Sequence, residues 1–332
     1  AGDGPRGACA TPGKVADSAK RAADSVVDYT GLEPAGLIPV GESIGRDEWV
    51  RVNVGTLRET AAIITREAAD EPPGALAGAA RSVGATIVGA EAGGVLGFAA
   101  QRVLGQFDVS LVGAPRASRL LFVAPNIAGG AGRLGYGEEL LDWIAIHEVT
   151  HAVQFGATPW LRGHLAGQLE QLLRASDARG IASNLLDAAK SAVARDPREL
   201  LSGVRSFDPI GSLLGPEQAA VLAQIQAAMS VVEGYADLVM DEAGLRAGLD
   251  THGLRAAFDE RRRSRGPLET LLARILGLEL KLRQYREGRR FADRVAGQGG
   301  IGLLNRLWSA PEALPDPDEL ERPELWISRV AE

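Results

Sequence analysis

The chain has 332 residues, 45% of them apolar, and 36 basic against 43 acidic side chains give a net charge of −7. That length and apolar content allow a sizeable buried core, and the mild acidity argues against a broad nucleic-acid footprint. Cys9 is the single cysteine, so an internal disulfide and a cysteine-built metal site are excluded, leaving His, Asp and Glu as ligand types.

Residues 1–13, rich in Gly, Ala and Pro, read as a flexible tail, and 14–332 as one domain with a helical N-terminal part (14–115) and a catalytic core (116–332). No basic start followed by an apolar run opens the chain, so no signal peptide is expected and a cytoplasmic location is. A helix is expected over 14–29. Turns follow around Pro34, Gly36, Pro39, Gly41 and Gly45, and the alternation in 49–54 predicts a short strand or a helix start. A further helix is expected over 56–69, ending at Pro72-Pro73-Gly74. The segment 82–105 is long enough to span a bilayer, but Glu91 and Gln101 inside it favour a closely packed internal helix, so no membrane span is expected.

Phe107–Val112 and Arg119–Ala124 are apolar runs of strand length, the second ended by Pro125-Asn126 and read as an edge strand that could align an extended substrate. Gly129–Gly132 reads as a flexible loop without the lysine of a phosphate-binding loop. Beyond it helices are expected over 137–155, 160–176, 181–195, 216–243, 252–263 and 267–292. Pro311, Pro315, Pro317 and Pro323 then predict an extended tail pinned by Trp308 and Trp326. The whole is an α+β chain, helix-rich with a small mixed sheet.

The chemistry concentrates in His147-Glu148-Val149-Thr150-His151. On a helix turning about 100° per residue, with His147 at zero, His151 falls at about 40°, Leu140 at about 20° and Ile144 at about 60°. Both imidazoles thus share the buried stripe and can reach one zinc ion, while Glu148, at about 100°, can reach water at the metal without ligating it. The His-x-x-Gly-x-x-His continuation that would supply a third histidine is excluded, because Gln154 and Ala157 occupy the positions of its glycine and histidine. A carboxylate from a later helix is the alternative. Glu233 falls on the apolar face of 216–243, where an unpaired carboxylate costs several kcal/mol, and Asp237 lies one turn further on. Metal ligands His147, His151 and Glu233, base Glu148, and Asp237 as acceptor for the outer N–H of a ligating histidine are the expected set. Tyr285 is the preferred oxyanion donor, with His252 second; Tyr235 points away from Glu233. His164 reads as a surface or loop residue.

His147-Glu-Val-Thr-His-Ala-Val-Gln-Phe155 with Glu233-Gly-Tyr-Ala-Asp-Leu-Val-Met-Asp241 resembles the zincin-like metallopeptidase type 2 family of actinobacteria and Chloroflexi. Arg102-Val-Leu-Gly-Gln-Phe107, Pro125-Asn126 and Lys281-Leu-Arg-Gln-Tyr-Arg-Glu-Gly288 extend the likeness over most of 47–329. The resemblance implies a helix-rich zincin-like fold, a zinc site and a hydrolase. The Glu-x-x-x-Asp pair is also similar to the third-ligand helix of thermolysin-like gluzincins.

Together these features predict a zinc metallopeptidase acting on a peptide or protein, without a nucleic-acid partner. A catalytically silent zincin-like scaffold that binds partners is the competing expectation. The basic run 259–265 with Arg286, Arg289, Arg290 and Arg294 reads as a solvated helix end rather than an anion site.

Overall fold

A computed structural model describes residues 8–67, 93–94, 96–111, 116–174, 215–263 and 278–331, with 61–67, 173–174, 261–263 and 278–285 described by their backbone alone. The helix expected over 181–195 and half of the segment 82–105 lie outside the described residues.

Helix α1 (Pro12–Thr30) starts on a proline, whose fixed φ and missing N–H suit a first helical position, and ends at Gly31 in the left-handed region at φ 66°. Its buried positions, Val15, Ala19, Ala22 and Val26, recur at helical spacing. The body of the fold begins before residue 14: Ala8–Ala10 form a 3-10 turn, Ala10 is buried, and Ser43 Oγ donates to its carbonyl at 2.7 Å.

Strands β1 (Gly41–Ile44), β2 (Gly105–Asp108) and β3 (Arg119–Val123) make a mixed sheet of order β1-β3-β2. β1 runs parallel to β3, pairing Gly41 with Leu120, and β2 runs antiparallel to it, pairing Phe107 with Leu120. β3 is thus the central strand, buried from Leu120 to Val123, and not the edge strand expected. β1 and β2 precede residue 116 and β3 follows it, so both parts of the chain share one sheet. β1 sits hard on α1, where a Cβ on Gly41 would stand 2.9 Å from that of Ala19.

Two expectations meet their outcome beside the sheet. Of the two readings of 49–54, the helix start is the one found: these residues belong to α2 (Arg46–Glu67), where Asp47 and Glu48 in the first turn favour a helix N-terminus. The expected loop 129–132 lies inside α3 (Ala124–Leu134), where a Cβ on Gly130 would stand 3.0 Å from Leu140 Cδ2. Gly130 serves close packing.

The main core is helical. α4 (Glu138–Ala157), which carries both imidazoles, is buried on nearly every side. It packs against α1, α6 (Pro216–Arg246), β2 and α5 (Pro159–Arg174), and α7 (Thr251–Arg263) and α8 (Leu278–Leu304) pack on α6. The proline-rich end is not extended. Asp316 caps α9 (Pro317–Glu321) through a reciprocal pair of bonds with Glu319, and α10 (Pro323–Ala331) starts on Pro323. Trp326 is fully buried and donates to the Ala313 carbonyl at 2.7 Å. Asn305 clasps distant parts of the chain: it accepts from the Tyr235 hydroxyl at 2.7 Å and donates to the Thr30 carbonyl at 2.8 Å. No described helix is long and apolar enough to cross a membrane.

Candidate metal centre

α4 and α6 lie side by side and bring His147, His151 and Glu233 together. Nε2 of His147 and Nε2 of His151 are 3.2 Å apart, and Oε2 of Glu233 lies 3.5 Å from each. Ligands about 2.0–2.1 Å from a tetrahedral cation stand ~3.3–3.4 Å apart, so the triangle has the size of one face of a zinc coordination tetrahedron. The three side chains are only 15, 11 and 16% exposed, and Glu233 Oε2 is buried without a hydrogen-bond partner. Two basic nitrogens and an orphaned carboxylate oxygen facing one point suit a divalent cation. These residues fit the ion.

Around the triangle, each imidazole meets a different neighbour. His151 Nδ1 lies 2.9 Å from Gln154 Oε1, and Gln154 Nε2 donates to the Val232 carbonyl at 3.0 Å. That second bond fixes the amide, because a carbonyl accepts only from the NH2 end. Gln154 Oε1 therefore accepts from Nδ1–H of His151, which leaves a lone pair on Nε2 toward the centre. The sequence reading gave Gln154 no role beyond filling a glycine position, yet at about −20° from His147 it is an amide on the apolar stripe, and a buried polar group there signals a partner. Asp237 Oδ1 lies 3.6 Å from His147 Nδ1 and 3.4 Å from Arg255 Nη1.

Glu148 is 8% exposed, and the backbone N–H of Phe107 on β2 donates to its Oε2 at 2.9 Å. Gln106 pairs with Leu121 and the Leu104 carbonyl accepts from Val123, so the Gly105 and Phe107 backbone groups turn outward from the sheet, toward α4. Gly105 has room for no side chain, since a Cβ there would stand 2.6 Å from Glu148 Cγ. Asn126 steadies this approach by donating to the carbonyls of Ala100 and Val103, at 2.8 and 2.7 Å, just ahead of β2.

The charges are interlocked. Burial pushes the Glu148 carboxyl up, against the opposing pull of both imidazoles and the Phe107 amide. Burial would also raise Glu233, but His151 and His147 hold it well below the usual carboxylate range. Burial opposes a charge on His147, yet Glu233, Glu148 and Asp237 outweigh it and bring the ring to about 9. In the metal-free chain one proton therefore occupies the place a cation would take.

A cleft of about 640 Å3 opens on the triangle, walled by Trp49, Phe107, Trp143, Met240 and Phe258, with Arg255 beside them. His252, the second expected oxyanion donor, is exposed and lies outside this lining. Tyr285 falls on α8, but its side chain lies outside the described residues. Tyr235 is fully buried, bonded to Asn305 and edge-on to Trp308. His164, on α5 and not a loop, is half-buried edge-on to Trp160.

A crystal structure from Chloroflexus aurantiacus, described as "a putative hydrolase with a novel fold", superposes with a TM-score of 0.65 at 30% identity, covering 95% of this chain and 90% of that one. No curated protein matches the chain. The profile of the family described as zincin-like metallopeptidase matches residues 3–327, and the chain belongs to that family.

Proposed function

We propose that the chain is a zinc-dependent metallohydrolase that cleaves peptide bonds. The observation that carries this reading is the placement of Glu148 beside a three-ligand triangle at the floor of a cleft. His147, His151 and Glu233 would hold the metal, which when bound supplies Lewis acidity that makes water acidic near neutral pH and polarises a carbonyl. Glu148, anchored by the Phe107 amide, takes the proton of the attacking water and returns it to the leaving amine. Its buried position makes it a better proton acceptor than an exposed carboxylate, because desolvation disfavours the charged form. The aromatic wall of Trp49, Trp143 and Phe258 suits an apolar side chain of the substrate.

A scaffold that only binds partners would keep the metal without needing Glu148 where it stands. The deciding experiment joins elemental analysis to digestion of a broad quenched-peptide library. One zinc per chain is expected, lost in His151→Ala. Glu148→Gln should retain the zinc and lose cleavage by 100-fold or more, on the order expected for a general base. Full cleavage by Glu148→Gln, or unchanged zinc in His151→Ala, refutes the assignment.

A further inference from the structure

Behind His147 lies a set of charges that the chemistry above does not use. Asp237 and Asp241 sit one turn apart on α6, alongside Trp143 and His147, one turn apart on α4. Arg255 of α7 and Arg289 of α8 close on them. All three guanidinium nitrogens of Arg255 are engaged: Nη1 with Asp237 Oδ1 at 3.4 Å, Nη2 with the Asp237 carbonyl at 3.2 Å and Asp241 Oδ1 at 2.9 Å, and Nε with Asp241 Oδ2 at 3.2 Å. Arg289 Nη1 donates to the same carbonyl at 2.9 Å and to Asp241 Oδ2 at 2.6 Å, and its Nε to Asp293 at 2.7 Å. Trp143 Nε1 donates to Asp241 Oδ1 at 3.3 Å, with the Arg255 guanidinium 5.0 Å from the Trp143 ring.

We propose that Arg255, braced by Asp241 and Arg289, is a positioning residue of the metal centre, holding Asp237 in place for Nδ1 of His147. This inference rests on the metal-centre reading above. Asp237 Oδ1 stands between the imidazole and the guanidinium, 3.6 Å from the first and 3.4 Å from the second. His147 Nδ1 is buried and has no hydrogen-bond partner within bonding distance. A carboxylate steadied there is the acceptor that fixes the tautomer of His147 and turns its Nε2 lone pair toward the cation. Arg255 suits this task because a planar fork reaches one aspartate's side chain and main chain and a second carboxylate at once, where a lysine offers a single compact charge. Asp237 and Arg255 also line both the main cleft and an outer cavity of about 620 Å3, so the pair forms part of the partition between them.

Zinc affinity of the full-length chain, read by competition with a chromophoric chelator, tests the relay. Arg255→Met should still bind one zinc but 10–100-fold more weakly, the usual effect of losing a partner behind a ligand, and Arg255→Lys should recover only part of that loss. In an Asp237→Ala background, Arg255→Met should cost no further affinity, because its action passes through Asp237. Wild-type affinity in Arg255→Met, or an equal loss in both backgrounds, overturns the proposal; the second result would mean that Arg255 serves the fold alone. Should Arg255→Met not fold, Arg255→Lys compared in the two backgrounds separates the same outcomes. Failure of the wild-type chain to bind zinc would instead sink the metal-centre reading itself, before any variant is compared.

Discussion

Gly234 and Gly288 meet backbone to backbone where α6 crosses α8. A Cβ on Gly234 would stand 2.1 Å from the Gly288 carbonyl, and one on Gly288 would stand 1.8 Å from the carbonyl oxygen of Ser230. Helices come this close only where neither bears a side chain. The neighbours of these glycines are Glu233 and Arg289, so the crossing sets the depth of that carboxylate and the reach of the arginine together.

Gly288→Ala should therefore push the helices apart and lower the stability of the chain by about 3 kcal/mol, the upper range for overpacking. Urea unfolding measures it. A change within about 0.5 kcal/mol, typical of surface substitutions, would mean that the crossing relaxes without cost.

Gln154→Leu removes both the acceptor for His151 Nδ1 and the donor to the Val232 carbonyl. Zinc affinity should fall about 10–100-fold. Gln154→Glu keeps an acceptor for the imidazole and should lose less. Equal affinity in the leucine variant and the wild type would show that His151 needs no such partner.

Gly105→Ala should displace Glu148, because the new methyl would stand 2.6 Å from its Cγ and 2.7 Å from Oε1. A displacement of about 1 Å at a reacting group costs on the order of 100-fold in rate. Peptide cleavage should drop on that scale while zinc content stays at the wild-type value. Loss of the metal along with the activity would place the damage elsewhere.

The pH dependence has a defined sign. In the metal-free chain His147 is buried, yet its three carboxylate neighbours bring it to about 9, above its ordinary value of 6.5. A folded-state value above the unfolded one means the proton stabilises the metal-free fold fully below about 6.5, and this contribution disappears as pH rises to about 9. Zinc needs the neutral ring, so its affinity should climb about tenfold per pH unit up to about 9 and then level off. The difference in melting temperature between zinc-loaded and chelator-treated protein should widen across that range. A constant difference would exclude His147 as the proton-bearing ligand.

The parts of this centre that were legible in the sequence are those set by local geometry. The spacing of His147 and His151 fixes their common face, and Glu233 stands out because an apolar helix face does not take a lone carboxylate. What escaped depends on long-range partners. β1 is four residues, Gly-Glu-Ser-Ile, with no strand signal of its own; its conformation comes from pairing with β3. Phe107 contributes a backbone amide, which no side-chain pattern announces, and Arg255 acquires its role only when α7 meets α6. The prolines at 317 and 323 misled for a different reason: read as breakers, they stand at the start of helices, where Asp316 and Glu319 supply a capping box visible in hindsight.

The separation of the ligands along the chain bears on how the protein is made. A chain synthesised only as far as residue 215 holds both imidazoles and Glu148, but not the carboxylate of Glu233 that closes the triangle. The clasp of Asn305 on Thr30, spanning 275 residues, comes later still. The three side chains can thus gather only once α6 has been made and has docked on α4, so the centre depends on a contact between distant parts of the chain and not on the local spacing of the histidines.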